Sequence, residues 1–272
     1  MSAVFKREFR SYFNNLIGYV FLGALFCIIG FLTLIENLIS GYAQFEYNLG
    51  YASLFFIILI PILATRTMCD DKRQHINQLL YSLPIRSLSI VLGKYLAIVA
   101  VIGIGCVGIA VVPLILASFG TLAMRTVFSS LFAFFLLASL LAAICMFVSS
   151  LVGSQIIATL VGILSCAVLY LISLIVSSIP SGALASFALF IVLVLLVAGV
   201  AYFLSRNALV TVGTAALGII PLSVAYIRNP SSFEGKFAKT VSYIAVFDRF
   251  YTFLNGSFDL TAVVFFLSIM KK

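Results

Sequence analysis

Few side chains in this chain are able to do chemistry, and their placement argues against most reactions. There is a single histidine, His75, and eight acids: Glu8, Glu36, Glu46, Asp70, Asp71, Glu234, Asp248 and Asp259. None of the acids falls in the middle of an apolar run. Ionisable groups buried in such runs would mark proton relays or ion sites, so coupling to protons or sodium is not expected. Glu36 comes nearest, within a turn of the end of its run, and reads as a solvated rim residue. Cys27, Cys69, Cys106, Cys145 and Cys166 are scattered singly. They form no C-x-x-C pair and no metal-ligand spacing, so they read as small residues within helices and loops. The sequence holds no H-E-x-x-H, P-loop or G-x-S-x-G pattern. It is therefore expected to be non-catalytic, with no metal or cofactor of its own, and any uphill work must draw energy from another chain.

Polar chemistry gathers instead in two short segments. The first is Val4 to Phe13, where Phe5, Phe9, Tyr12 and Phe13 recur at i, i+4, i+7 and i+8 while Lys6, Arg7 and Arg10 turn away. That pattern suits an amphipathic helix over residues 3–13, lying in a membrane interface with lipid as its partner. An ordinary positive flank to the next span is the alternative. The second segment is residues 69–87. Asp70 and Asp71 stand at a possible helix start, where the dipole favours carboxylates. Lys72, Arg73, His75 and Gln78 follow, then Leu79, Leu80 and a stop at Pro84. A surface helix that docks a soluble partner fits this segment, and so does a solvated loop that only sets topology.

The elements that carry these segments follow from composition. Of 272 residues, 64% are hydrophobic and 9% charged, with a mean hydropathy of +1.26. Water-soluble domains are about half apolar and roughly a quarter charged. Lipid can face apolar side chains directly, and each span needs about 20 of them. The apolar runs are continuous, not alternating, so helices are expected and a barrel is not. Eight runs are legible: Leu16–Ile39, Ala52–Thr65 (extended to about Leu49–Met68), Leu88–Phe119, Val127–Leu151, Ile156–Ile179, Leu184–Leu204, Ala208–Ile227 and Phe258–Met270. The first is too long for a signal-peptide core and lacks a small-residue cleavage site, so it reads as a true span. The last has 13 residues, about 20 Å of helix. Either the chain is truncated after Lys272, or the helix begins in the preceding loop, or it does not cross.

The expected fold class is all-α, a polytopic transmembrane bundle of about six to eight spans. The net charge of +8 is carried in loops between runs, which reports topology and not nucleic-acid binding. With the N-terminus inside, 11 basic residues lie on the inner side and 5 on the outer. By the positive-inside rule both termini and the 69–87 segment are then cytoplasmic, in the inner or plasma membrane. A third segment, residues 228–259, is the extracytoplasmic loop. Its aromatic residues Phe233, Phe237, Tyr243, Phe247, Phe250, Tyr251 and Phe253 suit an interfacial position or a lid.

Several blocks, in this order, resemble one family. Lys6-Arg7-Glu8-Phe9-Arg10-Ser11-Tyr12-Phe13 is similar to the N-terminal segment of ABC-2 type permeases, in the gliding-motility and copper-processing-like branch. Pro61, Thr65, Arg66, Asp70-Asp71-Lys72-Arg73, Leu79-Leu80 and Pro84 resemble the end of its second span and the helix that follows. Val91-Leu92-Gly93-Lys94-Tyr95-Leu96-Ala97 resembles the start of its third span. Phe247-Asp248-Arg249-Phe250, Gly256, Asp259-Leu260 and Phe265-Phe266-Leu267-Ser268 resemble its last block. The likeness covers residues 5–178 and 243–268. His75, Ile76 and Gln78 depart from the family's usual Gly-Thr and Glu. The hairpin Leu184–Ile227 looks like an insertion of two spans into a plan of six.

The resemblance implies a single transmembrane domain over 1–272. It implies a second permease, identical or related, as partner, and a cytoplasmic ATPase subunit that binds ATP and Mg. That ATPase would push on Asp70, Asp71, Lys72, Arg73, His75, Gln78, Leu79 and Pro84. An exporter of a hydrophobic or amphipathic substrate (a peptide, lipid or antibiotic) is then the first expectation. A structural membrane anchor of a motility or envelope complex is the second, and a membrane enzyme the third.

Overall fold

The computed structural model describes residues 2–42, 44–73, 87–120, 122–178, 182–184, 186–191, 221–223, 226, 236–242, 245–257 and 259–271. Among these there is no strand, and the chain is an all-α, polytopic helical bundle. They divide into two compact units, Met1–Val168 with Phe247–Lys272, and Leu169–Val246.

In the first unit α1 (Ser2–Asn14) leads through a tight elbow into α2 (Ile17–Thr33), which continues as a π-helical turn over Leu34–Ile39. Then follow α3 (Glu46–Arg73), α4 (Ser87–Leu116), α5 (Met124–Leu151) and α6 (Gln155–Ser178), whose last residues enter the second unit. Among the described residues five stretches are long and apolar enough to cross a bilayer: Ile17–Ile39, Glu46–Cys69, Leu88–Leu116, Met124–Leu151 and Gln155–Ile175. They match the first five apolar runs, so the chain is a multi-pass membrane protein. More than half of the apolar stretch is buried in α3 and α5, against less than a third in α2 and α6. The two central helices are thus surrounded by the others. Outward residues such as Phe31, Val107, Phe147 and Leu160 stay exposed and suit contact with lipid tails, which are as apolar as they are.

Two helices at the end of the unit complete it. α8 (Val246–Leu254) carries Phe247, Phe250 and Phe253, all fully buried. The Phe250 ring packs 6.2 Å from Phe134 of α5, which in turn lies 4.3 Å from Phe56 of α3. These aromatic residues of the expected outer loop are therefore core, not an exposed lid or interfacial belt. Gly50 lets α8 approach α3: a Cβ there would lie 3.0 Å from a Leu254 methyl. α9 (Leu260–Lys271) has 12 residues, about 18 Å of helix, short of a hydrocarbon core of about 30 Å. The Asp259 carboxylate caps it, accepting from the Thr261 amide at 2.9 Å and from the Thr261 hydroxyl. These bonds hold its carboxyl below the usual carboxylate range. The cap fixes the helix start, so α9 does not begin in the preceding loop.

At the end of the bundle away from α1, a polar knot ties α2 to α3. Asn48 is fully buried, and its side-chain amide donates to the Thr33 hydroxyl at 3.3 Å and to the Asn37 side-chain oxygen Oδ1 at 2.6 Å. The π turn over Leu34–Ile39 carries Asn37 and Glu36, and Asn37 in turn donates to the Tyr42 carbonyl at 2.6 Å. A widened turn of this kind changes which residue faces inward.

In the second unit, α7 spans Lys236–Ser242. The rings of Phe187 and Tyr226 stack 4.3 Å apart. They lie near the two ends of the expected hairpin Leu184–Ile227, most of which is outside the described residues.

Candidate functional site

The clearest concentration of interhelical polar contacts lies at the α1 end of α3. There is no glycine or proline between Ile62 and Arg73, and the helix runs on without a break through Asp70, Asp71, Lys72 and Arg73. Asp70 and Asp71 therefore continue a spanning helix and do not start a separate one. His75, Gln78, Leu79 and Pro84 lie outside the described residues, as do the side chains of Asp70–Arg73. Cys69, expected in a polar loop, is helical and buried.

α1 has three faces. At about 100° per residue, Val4, Glu8 and Tyr12 fall along one stripe, and these three are its buried residues. Phe5, Phe9 and Phe13 form the second face. Phe5 and Phe9 stack at 5.8 Å, Phe9 meets Phe13 at 5.1 Å, and Phe13 meets Tyr19 of α2 edge-on at 5.2 Å. Lys6, Arg7 and Arg10 are exposed on the third, where Arg7 pairs with Glu8. Tyr12 thus leaves the aromatic stripe in which the sequence placed it. It is 2% exposed, donates its hydroxyl to the Leu63 carbonyl of α3 at 3.1 Å and lies 3.4 Å from the Thr67 hydroxyl.

From the other side Lys94 of α4 reaches the same turn. It is 2% exposed, and its ammonium donates to the Thr67 carbonyl at 2.7 Å. Burying an ammonium is costly unless it is well bonded, so this contact fixes α4 against α3 at one point. Between Leu63 and Thr67, Thr65 donates to the Pro61 carbonyl at 2.7 Å and shares a 2.8 Å hydrogen bond with Thr159 of α6. Gly162, one helical turn beyond Thr159, is buried directly against the proline. A Cβ there would lie 3.2 Å from that of Pro61, 3.7 Å from Cys145 Sγ and 3.7 Å from a Thr65 methyl. Cys145 and Cys166 complete the junction, with their sulfurs 3.5 Å apart.

The arrangement joins α1, α4 and α6 to one stretch of α3. Tyr12, Lys94 and Thr159 hold α3 by polar contacts between Leu63 and Thr67, within two turns of Pro61. A proline inside a helix removes one backbone hydrogen bond and is a common bending point. Pro61, Thr65 and Lys94 stand out in the sequence, Lys94 as an inner basic residue within a family-like block, whereas Thr159 and Gly162 do not. The available signal was a threonine and a glycine at i and i+3 in an otherwise bulky apolar run. Among the described residues no group of three metal-ligating side chains occurs.

The contact at Tyr12 gives a direct test. Tyr12→Phe keeps the ring and removes the hydroxyl, and is expected to lower unfolding free energy by about 1 kcal/mol. Reversible unfolding in mixed detergent micelles, followed by far-UV circular dichroism, checks it. An unchanged midpoint would mean that the hydroxyl bond adds nothing to the docking of α1.

No protein-family model, curated protein or solved structure matches the chain.

Proposed function

We propose that the chain is the membrane-spanning permease subunit of an ABC exporter of the ABC-2 type, moving a hydrophobic or amphipathic substrate such as a peptide, lipid or antibiotic. A separate cytoplasmic ATPase, which binds ATP and Mg, supplies the energy. A second permease, identical or related, completes the pathway. The observation that carries this reading is α3. It crosses the bundle, holds Pro61 within its length and continues unbroken to Arg73, directly before the loop expected to dock the ATPase. In this reading the α1 end is cytoplasmic, in the inner or plasma membrane. A push on the loop tilts the end of α3, and Tyr12, Lys94 and Thr159 pass the displacement to α1, α4 and α6. The multi-pass helical architecture and the acid-poor spans support the reading, as does the resemblance of several sequence blocks to that family.

The test uses the tagged full chain in its native membranes. An ABC ATPase is expected to co-purify with it, and a candidate substrate to stimulate hydrolysis. In the double variant Asp71→Ala, Arg73→Ala the protein inserts normally, and co-purification or stimulated hydrolysis falls at least several-fold. The estimate rests on partly buried charged hydrogen bonds of about 1.5–3 kcal/mol each. A chain that co-purifies with no ATPase would favour a structural anchor in an envelope or motility complex.

A further inference from the structure

The faces of α1 open onto two different grooves. One, of about 610 Å³, lies along α1 itself, where Lys6, Arg7, Arg10, Ser11, Asn14 and Asn15 line it with Ala3. The other, of about 690 Å³, is apolar and lies where α1 meets α4 and α5. Phe5 of α1 and Phe135 of α5 line it, together with Leu96, Val99, Ala100 and Gly103. The four α4 residues recur at i, i+3, i+4 and i+7, so they make one stripe about 10 Å long on that helix. Ser2 lines the apolar groove and Ala3 the polar one. The two therefore meet across the first turn of α1.

The charges on this turn are unbalanced. Arg7 pairs with Glu8. Lys6 and Arg10 are exposed and have no acidic partner among the described residues. A ligand matching both grooves needs a negative head and a long apolar tail joined end to end. A free phosphate meets only the first requirement and a neutral lipid only the second. The aromatic face between them, Phe5, Phe9 and Phe13, places the helix at the depth where headgroups and acyl chains join. The geometry points to a bound anionic phospholipid, its phosphate held by Lys6 and Arg10 and one acyl chain lying in the groove floored by Gly103. This site rests on the chain being a membrane protein and is independent of the transport reading.

Gly103 supplies the discriminating substitution. A Cβ at Gly103 would lie 3.7 Å from the Phe135 ring, an ordinary contact, so Gly103→Ala leaves the groove open. Gly103→Leu fills it. The full chain is purified in mild detergent and equilibrated with an equimolar mixture of phosphatidylglycerol and phosphatidylcholine. Native mass spectrometry then counts the lipids retained. The wild type and Gly103→Ala are expected to retain phosphatidylglycerol over phosphatidylcholine by about 25-fold, since each of the two cations near a headgroup contributes about fivefold. Lys6→Gln, Arg10→Gln, both exposed and harmless to packing, is expected to retain lipid with no preference. Gly103→Leu loses the retained lipid while its circular dichroism stays that of the wild type. Equal retention of the two lipids by the wild type overturns the proposal, as does undiminished retention in Gly103→Leu. Displacement of the lipid by inorganic phosphate overturns the acyl-chain half. A shift of Gly103→Leu from dimer to monomer, with lipid unchanged, would instead make the groove a subunit interface.

Discussion

Gly162→Leu is expected to force α6 away from α3 and lower the unfolding free energy by about 3 kcal/mol. Overpacking of a closed site costs about 1–3 kcal/mol, occasionally more, and Gly162 is buried against Pro61, Cys145 and Thr65. The Pro61 ring stands 3.2 Å from the added Cβ, and a proline within a helix cannot rotate out of the way. The 2.8 Å bond between Thr65 and Thr159 breaks as the helices part, adding roughly 0.6 kcal/mol by the average for membrane helices. Gly162→Ala is a sharp control. Its Cβ requires the neighbours to give by a few tenths of an ångström, but alanine favours a helix over glycine by about 1 kcal/mol. The two effects nearly cancel. Thermal unfolding followed by a maleimide that fluoresces on reacting with thiols measures both variants. Cys145 and Cys166, buried at this junction, become reactive as it opens. Equal midpoints for the leucine and alanine variants would show that the junction has room the geometry does not reveal.

The second large effect belongs to Lys94. Lys94→Ala removes a charged hydrogen bond worth about 1.5–3 kcal/mol and leaves a cavity where the aliphatic stem was packed. A total loss of about 3 kcal/mol is expected once relief of ammonium desolvation is set against these terms. Lys94→Met keeps most of the volume and removes only the charge, so it is expected to fall between alanine and wild type. Unfolding midpoints of the three proteins provide the check. A methionine variant as stable as wild type would mean that packing alone holds α4 to the end of α3. Under the exporter reading, Lys94→Met also lowers substrate-stimulated hydrolysis while ATPase co-purification persists.

The contrast between Lys94 and the apolar runs explains what was legible. Run length and continuity are local properties, so the five spanning helices emerged within a few residues of their ends. The largest extension was α3, which begins at Glu46 and reaches Arg73. Asp70-Asp71 was misread because paired acids are a helix-start signal. The signal gives way when a packed helix already arrives from upstream with nothing to stop it. Tyr12 was misread for a different reason. Its spacing fits the aromatic face, but the stripe through Val4 and Glu8 claims it, and only the position of α3 decides between the two. Lys94 and Tyr12 both bond backbone carbonyls. A carbonyl has no residue identity, so no pairing rule in the sequence can point to it. The Phe247, Phe250 and Phe253 cluster failed likewise, since an aromatic-rich segment looks the same whether it faces headgroups or core.

The elbow between α1 and α2 sets a phase relation. It consists of Asn15 and Leu16, and Leu16 takes the left-handed conformation at φ 61° with the next helix starting at Ile17. A side chain there costs roughly 1–2 kcal/mol, and the short link leaves α1 no slack to roll about its own axis. The angular setting of α1 is therefore dictated by α2 like one gear meshed with another. Adding a single residue at the elbow would turn α1 by about 100°, one face out of three. The aromatic face would then move toward the position of a neighbouring face, and the charged residues would move with it. For α1, the number of residues in the link is as much a part of the design as their chemistry.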